Sequence, residues 1–156
     1  QTRLILVGSF EPNLDPLNPE ILEEINTNPA IETVGKQNDV RPWLAASDIF
    51  VFPSYREGFP NVVIEAGAMD LPSIVTDING SREIIEDGKN GIIIPPHDAE
   101  ALYKAMLSLY QDQEYRNKLS ANARNMIATR FEQSYVRNCL KEYYNSIINE
   151  FVSDNF

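Results

Sequence analysis

The sequence predicts an α/β protein with a Rossmann-like, doubly wound parallel sheet that carries helices on both faces. The first observation is a series of short, wholly apolar runs, which are typical of strands buried in a parallel sheet. The second is that segments with apolar residues at helical spacing lie between these runs, as in βαβ units. In such a fold the ligand crevice lies at the carboxyl ends of the strands.

The first third of the chain contains two predicted strands and two predicted helices. Arg3–Gly8 is a short apolar run that ends in glycine, which predicts a buried strand, and Ile31–Gly35 predicts a second. Between them, Phe10–Pro19 is rich in Pro, Asn and Asp and predicts a loop. Pro19–Asn28 has apolar residues at helical spacing, and Pro42–Ser47 predicts a short helix.

The rest of the chain alternates in the same way and ends in three helical patterns. The next elements are predicted to be the strand Asp48–Pro53, the helix Asn61–Met69, the strand Ser73–Asp77, the helix Ser81–Glu86 and the strand Gly91–Pro95. The final helices are predicted at Ala99–Tyr110, Glu114–Ala128 and Glu132 to about Val152. We expect the loops Gly35–Asp39, Ser54–Asn61 and Asp77–Ser81 to converge on one crevice at the strand ends.

Composition places the chain among soluble globular domains. It has 156 residues, 43% of them hydrophobic and 23% charged, which is enough for one domain with a proper core. The net charge of −10 argues against nucleic acid or an anionic membrane as a partner of this domain, because both select a basic face. The single cysteine, Cys139, excludes an internal disulfide framework and suits a reducing compartment.

The segment SYREGFPNVVIEAGA, from Ser54 to Ala68, joins a predicted strand to a predicted helix and carries the strongest functional signal. Its two carboxylates, Glu57 and Glu65, bracket seven residues that include Gly, Pro and Asn. A helix that begins near Pro60 and Asn61 would direct its free N–H groups into the loop and make an anion site. Such a site between two carboxylates suits a ligand in which a diphosphate links a sugar to a ribose.

The string EGFPNVVIEA resembles the E-x7-E motif of retaining glycosyltransferases of the GT4 type, which have the GT-B fold. The following LPSIVTDINGSREIIEDGKNGIIIPPHDAEAL is similar to that family's continuation, and the resemblance runs from about Arg3 to about Met106. It implies that the chain is the C-terminal, nucleotide-sugar-binding half of a GT-B enzyme.

The resemblance gives the two glutamates different roles. Glu57 would hydrogen-bond hydroxyls of the donor sugar near the transferring centre and act as the catalytic residue, where a fixed carboxylate can stabilise oxocarbenium character. Glu65 would bind the ribose hydroxyls, as an acidic residue does in dinucleotide folds. The alternatives are a solvated loop carboxylate for Glu57 and, for Glu65, an acid favoured by the helix dipole of a first turn.

Further donor contacts are implied by the same resemblance. The residues expected to offer backbone amides to the sugar and diphosphate are Gly58, Phe59, Pro60, Asn61 and Val62. Among these, Pro60 would preset the helix start, and the Phe59 ring is expected to pack in the core. The base would lie against the loop after the second strand, which is formed by Gly35, Lys36, Gln37, Asn38, Asp39 and Val40, although Lys36 is equally typical of plain surface.

Other polar residues near the motif receive weaker interpretations. Asp77–Gly80 and Glu83 flank the predicted crevice on the acceptor side, and Arg56 is expected to face solvent. His97 is expected at the surface or at the start of a helix, and Asp98 is expected to cap that helix. No pattern of metal ligands occurs, so we expect no metal and no cofactor beyond the donor substrate.

Two departures from the family pattern matter. Met69-Asp70-Leu71-Pro72 stands where the family commonly has C-G-L-P, which places Asp at a position that favours glycine, at a cost of about 1 kcal/mol. The chain also opens at Gln1, almost directly in a strand. Residues 1–156 are therefore expected to form a single donor-binding domain that lacks the family's first βα unit, with its basic phosphate ligands, and the N-terminal acceptor domain.

The sequence therefore leads to one preferred function and two alternatives. The preferred function is retaining transfer of a hexose or N-acetylhexosamine from a nucleotide-diphosphate sugar, with UDP as the expected nucleotide, in bacterial surface polysaccharide or lipid-linked oligosaccharide synthesis. The acceptor, a carbohydrate or lipid-linked sugar, would bind through the missing domain. The protein would be cytoplasmic, and any contact with the inner membrane would also be made by the missing part. The alternatives are a non-catalytic nucleotide-sugar-binding domain and a sugar-phosphate synthase of the same fold.

Overall fold

The computed structural model describes residues 2–14 and 16–155. Strands and helices alternate in the predicted order, and every predicted element is present within about three residues of its predicted ends. The elements are β1 (Leu4–Val7), α1 (Pro19–Thr27), β2 (Ile31–Gly35), α2 (Arg41–Ala45), β3 (Phe50–Phe52), α3 (Asn61–Ala68), β4 (Ser73–Thr76), α4 (Ser81–Ile84), β5 (Gly91–Ile94), α5 (Ala99–Gln111), α6 (Gln113–Phe131) and α7 (Gln133–Asn155).

The chain divides into two compact units, the first of which is Gln1–Ala46. In this unit β1 and β2 pair in parallel, with Leu4 opposite Ile31 and a register irregularity before Val7. Helix α1 follows a Pro-rich loop and begins where the Asn18 side chain accepts a hydrogen bond from the Glu20 amide, at 2.9 Å.

The prediction that the first strand is buried is wrong for the described residues. Leu4 is 39% exposed and Val7 43% exposed, and α1 contributes no buried residue. The reason is that two strands and the two short helices α1 and α2 leave much of the sheet uncovered within this unit. In the described part of this unit, Leu44 on α2 is the one hydrophobic residue that is buried.

The second unit, Ser47–Phe156, is built around the parallel sheet β3-β4-β5. Strand β4 lies in the centre and is buried along its whole length. Neighbouring residues of a strand point to opposite faces, and accordingly Ile74 and Val75 belong to different apolar clusters. Val75 packs with residues of α3, α4 and α6, and Ile74 with residues of β5, α5 and α6. Helices therefore cover both faces of this sheet, as the sequence predicted.

Helix α3 ends in a complete Schellman motif. The Leu71 amide donates to the Ala66 carbonyl at 3.0 Å and the Asp70 amide to the Gly67 carbonyl at 3.1 Å. Asp70 takes the left-handed conformation, with φ of 62°, as expected from its departure from the family's glycine. A Cβ on Gly67 would come within 2.6 Å of the Ile127 side chain, so glycine lets α3 pack closely on α6 and a larger residue would force Ile127 to shift.

The last helix, α7, presents large apolar side chains to solvent, among them Leu140, Tyr143, Ile147 and Phe151. Cys139 lies on the same helix and is free and exposed. Among the helices that the structure describes, none combines the length and the apolar character needed to cross a bilayer.

Candidate functional site

The candidate site lies where the strands of the second unit end. Strands β3, β4 and β5 are parallel, so the loops that follow them, residues 53–60, 77–80 and 95–98, leave the same edge of the sheet. Two of these loops were predicted to meet, and the contacts described next show that they do. The convergence of Gly35–Asp39 with them stays a prediction, because that loop belongs to the other unit.

A chain of two hydrogen bonds connects the sheet to Glu57. Thr76, the last residue of β4, is 2% exposed, and its hydroxyl donates to the Ser54 carbonyl in a short hydrogen bond. The Ser54 hydroxyl in turn donates to Glu57 Oε1 at 2.8 Å. Both Ser54 and Glu57 are half-buried. The Glu57 carboxylate is therefore tethered rather than freely solvated, which disfavours the interpretation of a plain loop acid.

Gly80 brings the loop after β4 against the motif loop. Its φ of 83° is in the left-handed region, and a Cβ there would lie 2.5 Å from the Gly58 carbonyl oxygen and 2.8 Å from the Pro60 ring. Only glycine meets both requirements. Pro60 is buried in this contact, while Gly58 stays exposed. The fit fixes the backbone of residues 58–60 directly ahead of α3.

The amino end of α3 is open toward this loop. Pro60 is the N-cap residue, with an extended backbone, and no described side chain caps the helix. As predicted, the helix begins at Asn61, which is exposed and is followed by the half-buried Val62, and Pro60 directly precedes it with a φ of −77°. Because the first N–H groups of a helix lack intrahelical partners, this end can accept an anion.

Glu65 lies one turn further along α3 and is exposed. The first turn of α3 contains no acidic residue, because Glu65 is the fifth residue of the helix. The dipole of a first turn is therefore not the reason for an acid at this position, and the ribose-binding role of Glu65 stays a prediction.

Two aromatic contacts, Tyr55 with His97 and Phe59 with Phe131, support the motif loop. Tyr55 stacks on His97, with ring centroids 4.0 Å apart and an interplanar angle of 20°, which joins the loops after β3 and β5. His97 is exposed and precedes Asp98, whose side chain caps α5 through the Ala101 amide at 2.8 Å, so both predictions for this pair are confirmed.

Phe59 does not occupy the core that was predicted for it. It meets the ring of Phe131 edge to face, with centroids 5.6 Å apart, but remains 47% exposed. The contact with Phe131, the last residue of α6, leaves nearly half of Phe59 exposed. The neighbouring Arg130 donates to the carbonyls of Glu83 and Ile84, which ties α4 to the same end of α6.

The remaining residues on the predicted acceptor side form a small exposed network. Arg82 lies 3.2 Å from the Asp77 carboxylate and donates to the Asn79 side chain at 2.7 Å. These contacts stiffen the loop after β4. The Glu83 and Arg56 side chains are exposed, as expected for Arg56.

The predicted base-binding loop is ordered by its own contacts within the first unit. Gly35 has a φ of 64°, which favours glycine, and the Gln37 side chain donates to the Val34 carbonyl at 2.5 Å. Asp39 receives two hydrogen bonds of 2.8 Å from the Arg41 guanidinium, and these, with the Arg41 amide, lower the pKa of the Asp39 carboxyl to about 2. Of the other residues in this loop, Lys36 and Asn38 are exposed and Val40 is half-buried.

Sequence reasoning did not single out Ser54 or Thr76, and it named Gly80 only as part of the stretch Asp77–Gly80 that flanks the crevice. The signal for Ser54 was its position three residues before Glu57 in the motif loop. Thr76 could have been found only from the predicted strand order, because it is the last residue of β4, the strand that pairs with β3. Among the described residues no group of histidine, cysteine and acidic side chains is arranged to hold a metal ion.

Known proteins similar to this chain point to one family. The sequence profile of the family described as Glycosyl transferases group 1 matches residues 1–112. The UDP-Gal:alpha-D-GlcNAc-diphosphoundecaprenol alpha-1,3-galactosyltransferase of Escherichia coli is 32% identical over 81% of this chain and 32% of its own length. The N,N'-diacetylbacillosaminyl-diphospho-undecaprenol alpha-1,3-N-acetylgalactosaminyltransferase of Campylobacter jejuni is 32% identical over 88% of this chain and 38% of its own.

A solved structure shows the same fold. Anabaena HepE in complex with UDP superposes with a TM-score of 0.83 at 23% identity, over 93% of this chain and 41% of that one. This likeness identifies the fold as the Rossmann-like half of a GT-B protein. The chain spans about a third to two fifths of the length of the curated relatives it matches. The family profile and the relatives confirm the resemblance inferred from the motif: the chain belongs to the group 1 glycosyl transferases.

Proposed function

We propose that this chain is the donor-binding domain of a retaining glycosyltransferase that takes a hexose or N-acetylhexosamine from a UDP-sugar. The observation that carries the proposal is the tethered Glu57 carboxylate directly ahead of the uncapped amino end of α3. A carboxylate binds sugar hydroxyls, and a helix amino end binds phosphate. The two groups stand in the order in which a nucleotide sugar presents them.

The donor would lie along the motif. Its diphosphate would accept hydrogen bonds from the amides of Asn61 and Val62, where the helix dipole also favours negative charge. Glu65, one turn along, would bind the ribose hydroxyls, and Glu57 would orient the sugar ring. Gly58 is exposed and has no side chain, so the sugar can approach its backbone closely.

The reaction would transfer the sugar with retention. The acceptor hydroxyl attacks the anomeric carbon on the face from which the diphosphate leaves, so that the new carbon–oxygen bond replaces the bond to phosphate. The departing phosphate oxygen lies on that same face and is the base nearest to the acceptor proton. Glu57 contributes by stabilising the positive charge that develops on the ring, and it does so best if its position is fixed before the reaction.

The relatives support the choice of donor and pathway. The name of the Escherichia coli relative specifies UDP-Gal and a sugar linked to diphosphoundecaprenol, and the name of the Campylobacter jejuni relative specifies the same kind of lipid carrier. HepE was solved with UDP. We therefore propose a role in bacterial surface polysaccharide or lipid-linked oligosaccharide synthesis, with the acceptor and any membrane contact supplied by parts of the protein outside this chain.

Titration of the chain with UDP, followed by amide chemical shifts, tests the donor site. We expect the largest shift changes between Gly58 and Glu65, with weak affinity, because each charge-assisted phosphate contact supplied from elsewhere would be worth roughly 1.5–3 kcal/mol. Glu65→Gln should weaken UDP binding, and Glu100→Gln, which removes an exposed charge on α5, should not. Shift changes that cluster on α6 and α7 instead would show that the site is misassigned.

A further inference from the structure

We propose that Ser54 is a positioning residue that holds the Glu57 carboxylate in place, and that Thr76 holds Ser54 to the sheet. The catalytic consequence of this arrangement rests on the proposed function. The contact itself does not depend on that function, because it is present in the chain without a ligand.

The first step of the argument is the freedom that Glu57 would otherwise have. Residues 53–60 belong to no helix or strand, so no regular backbone pattern restricts the Glu57 side chain. Ordering a Glu side chain costs rotamer entropy, and without a fixed partner this cost would fall on the step that needs the carboxylate in place. The 2.8 Å hydrogen bond from Ser54 to Oε1 orders it in advance. One hydrogen bond uses one of roughly four acceptor sites of a carboxylate, so capacity for sugar hydroxyls remains.

The second step is the anchoring of Ser54 itself. Its backbone carbonyl accepts the hydroxyl of Thr76, and Thr76 is a buried, β-branched residue at the end of the central strand. Such a side chain is stiff at χ1, and a strand end is a fixed point in the fold. Glu57 is therefore connected to the sheet through the Thr76 hydroxyl, the Ser54 carbonyl and the Ser54 hydroxyl, and this connection fixes its position relative to β4. A functional group supported in this way is preorganised.

The same strand supplies a matched control. Ser73 is the first residue of β4, it is fully buried, and its hydroxyl has no hydrogen-bond partner among the described residues. Ser73→Ala therefore removes a buried hydroxyl from the strand that carries Thr76 without touching the connection to Glu57. Any effect that Ser54→Ala or Thr76→Val shares with Ser73→Ala is an effect on the strand and not on Glu57.

One arm of the experiment measures the Glu57 side chain in the chain without ligand. Three-bond couplings at the Glu57 β-protons should indicate one rotamer in the unmodified chain and in Ser73→Ala. Ser54→Ala should give averaged couplings, Thr76→Val should average them in part, and Ser54→Thr, which retains the hydroxyl, should restore one rotamer. Averaged couplings in the unmodified chain, or unchanged couplings in Ser54→Ala, overturn the proposal.

The other arm measures steady-state kinetics of the full transferase with varied UDP-sugar. Ser54→Ala should lower kcat about tenfold or more while KM for the donor changes less than about threefold, because the position of the Glu57 carboxylate matters most where positive charge develops on the sugar ring. Ser54→Thr should recover most of kcat, and Ser73→Ala should match the unmodified enzyme. An unchanged kcat in Ser54→Ala despite averaged Glu57 couplings overturns the positioning role. The proposed function is tested separately: it fails if the unmodified protein shows neither turnover of a UDP-sugar nor binding of UDP.

Discussion

At the scale of single residues, the two motif glutamates occupy different environments and should fail differently when changed. Glu57 is half-buried and hydrogen-bonded to Ser54, whereas Glu65 is exposed on α3. In the full enzyme, Glu57→Gln should lower kcat more than donor affinity, because the lost negative charge matters most where positive charge develops. Glu65→Gln should chiefly raise KM for the donor. Steady-state kinetics with varied UDP-sugar measures both, and equal changes in KM alone would show that Glu57 only binds.

A second residue-scale prediction concerns Asp39 in the predicted base-binding loop. Hydrogen bonds from Arg41 lower its pKa from 3.8 to about 2. A carboxyl whose pKa is lower in the folded state stabilises that state above its unfolded pKa and loses this effect as pH falls through the folded value. The contribution of Asp39 should therefore decline between about pH 4 and pH 2. A pH titration followed by the Asp39 carboxyl carbon chemical shift should give a midpoint near pH 2, and Arg41→Gln should raise that midpoint. A midpoint that Arg41→Gln leaves unchanged would mean that Arg41 is not the cause of the lowered pKa.

At the scale of elements, the end of α3 offers a measurement of backbone strain. Asp70 adopts a φ of 62° in the Schellman motif and lies 3.7 Å from Arg124. Asp70→Gly and Asp70→Ala both remove this exposed ion pair, so they differ chiefly in the cost of the left-handed backbone. The glycine variant should be more stable than the alanine variant by about 1 kcal/mol. Urea unfolding measures the difference, and equal stabilities would mean that the turn relaxes to another conformation.

The elements also show what the sequence could and could not predict. Apolar runs and helical spacing located every strand and helix, since both patterns are local. Burial of β1 was predicted wrongly, because an apolar run does not reveal which neighbours cover it. The motif identified Glu57 and Glu65, but the connection from Thr76 through Ser54 joins positions 22 residues apart and becomes visible only in the folded chain.

At the scale of the whole molecule, the distribution of the apolar core governs stability. The second unit buries Ile74, Val75 and Leu109 completely, while the described part of the first unit buries Leu44 alone among its large apolar side chains. The free energy of local opening rises with buried apolar contact. We therefore expect the first unit to open more readily than the second.

Trp43 makes this expectation measurable, because it is the chain's single tryptophan and lies on α2 of the first unit. The helices α3 to α7, which dominate the far-ultraviolet circular dichroism, belong to the second unit. In urea, Trp43 fluorescence should report a lower midpoint than circular dichroism, and amides of β1 should exchange with deuterium faster than those of β4. Coincident transitions would mean that the chain unfolds as one cooperative unit. Leu44→Ala should then separate the alternatives: it should lower only the fluorescence midpoint if the units open independently, and both midpoints by the same amount if they do not.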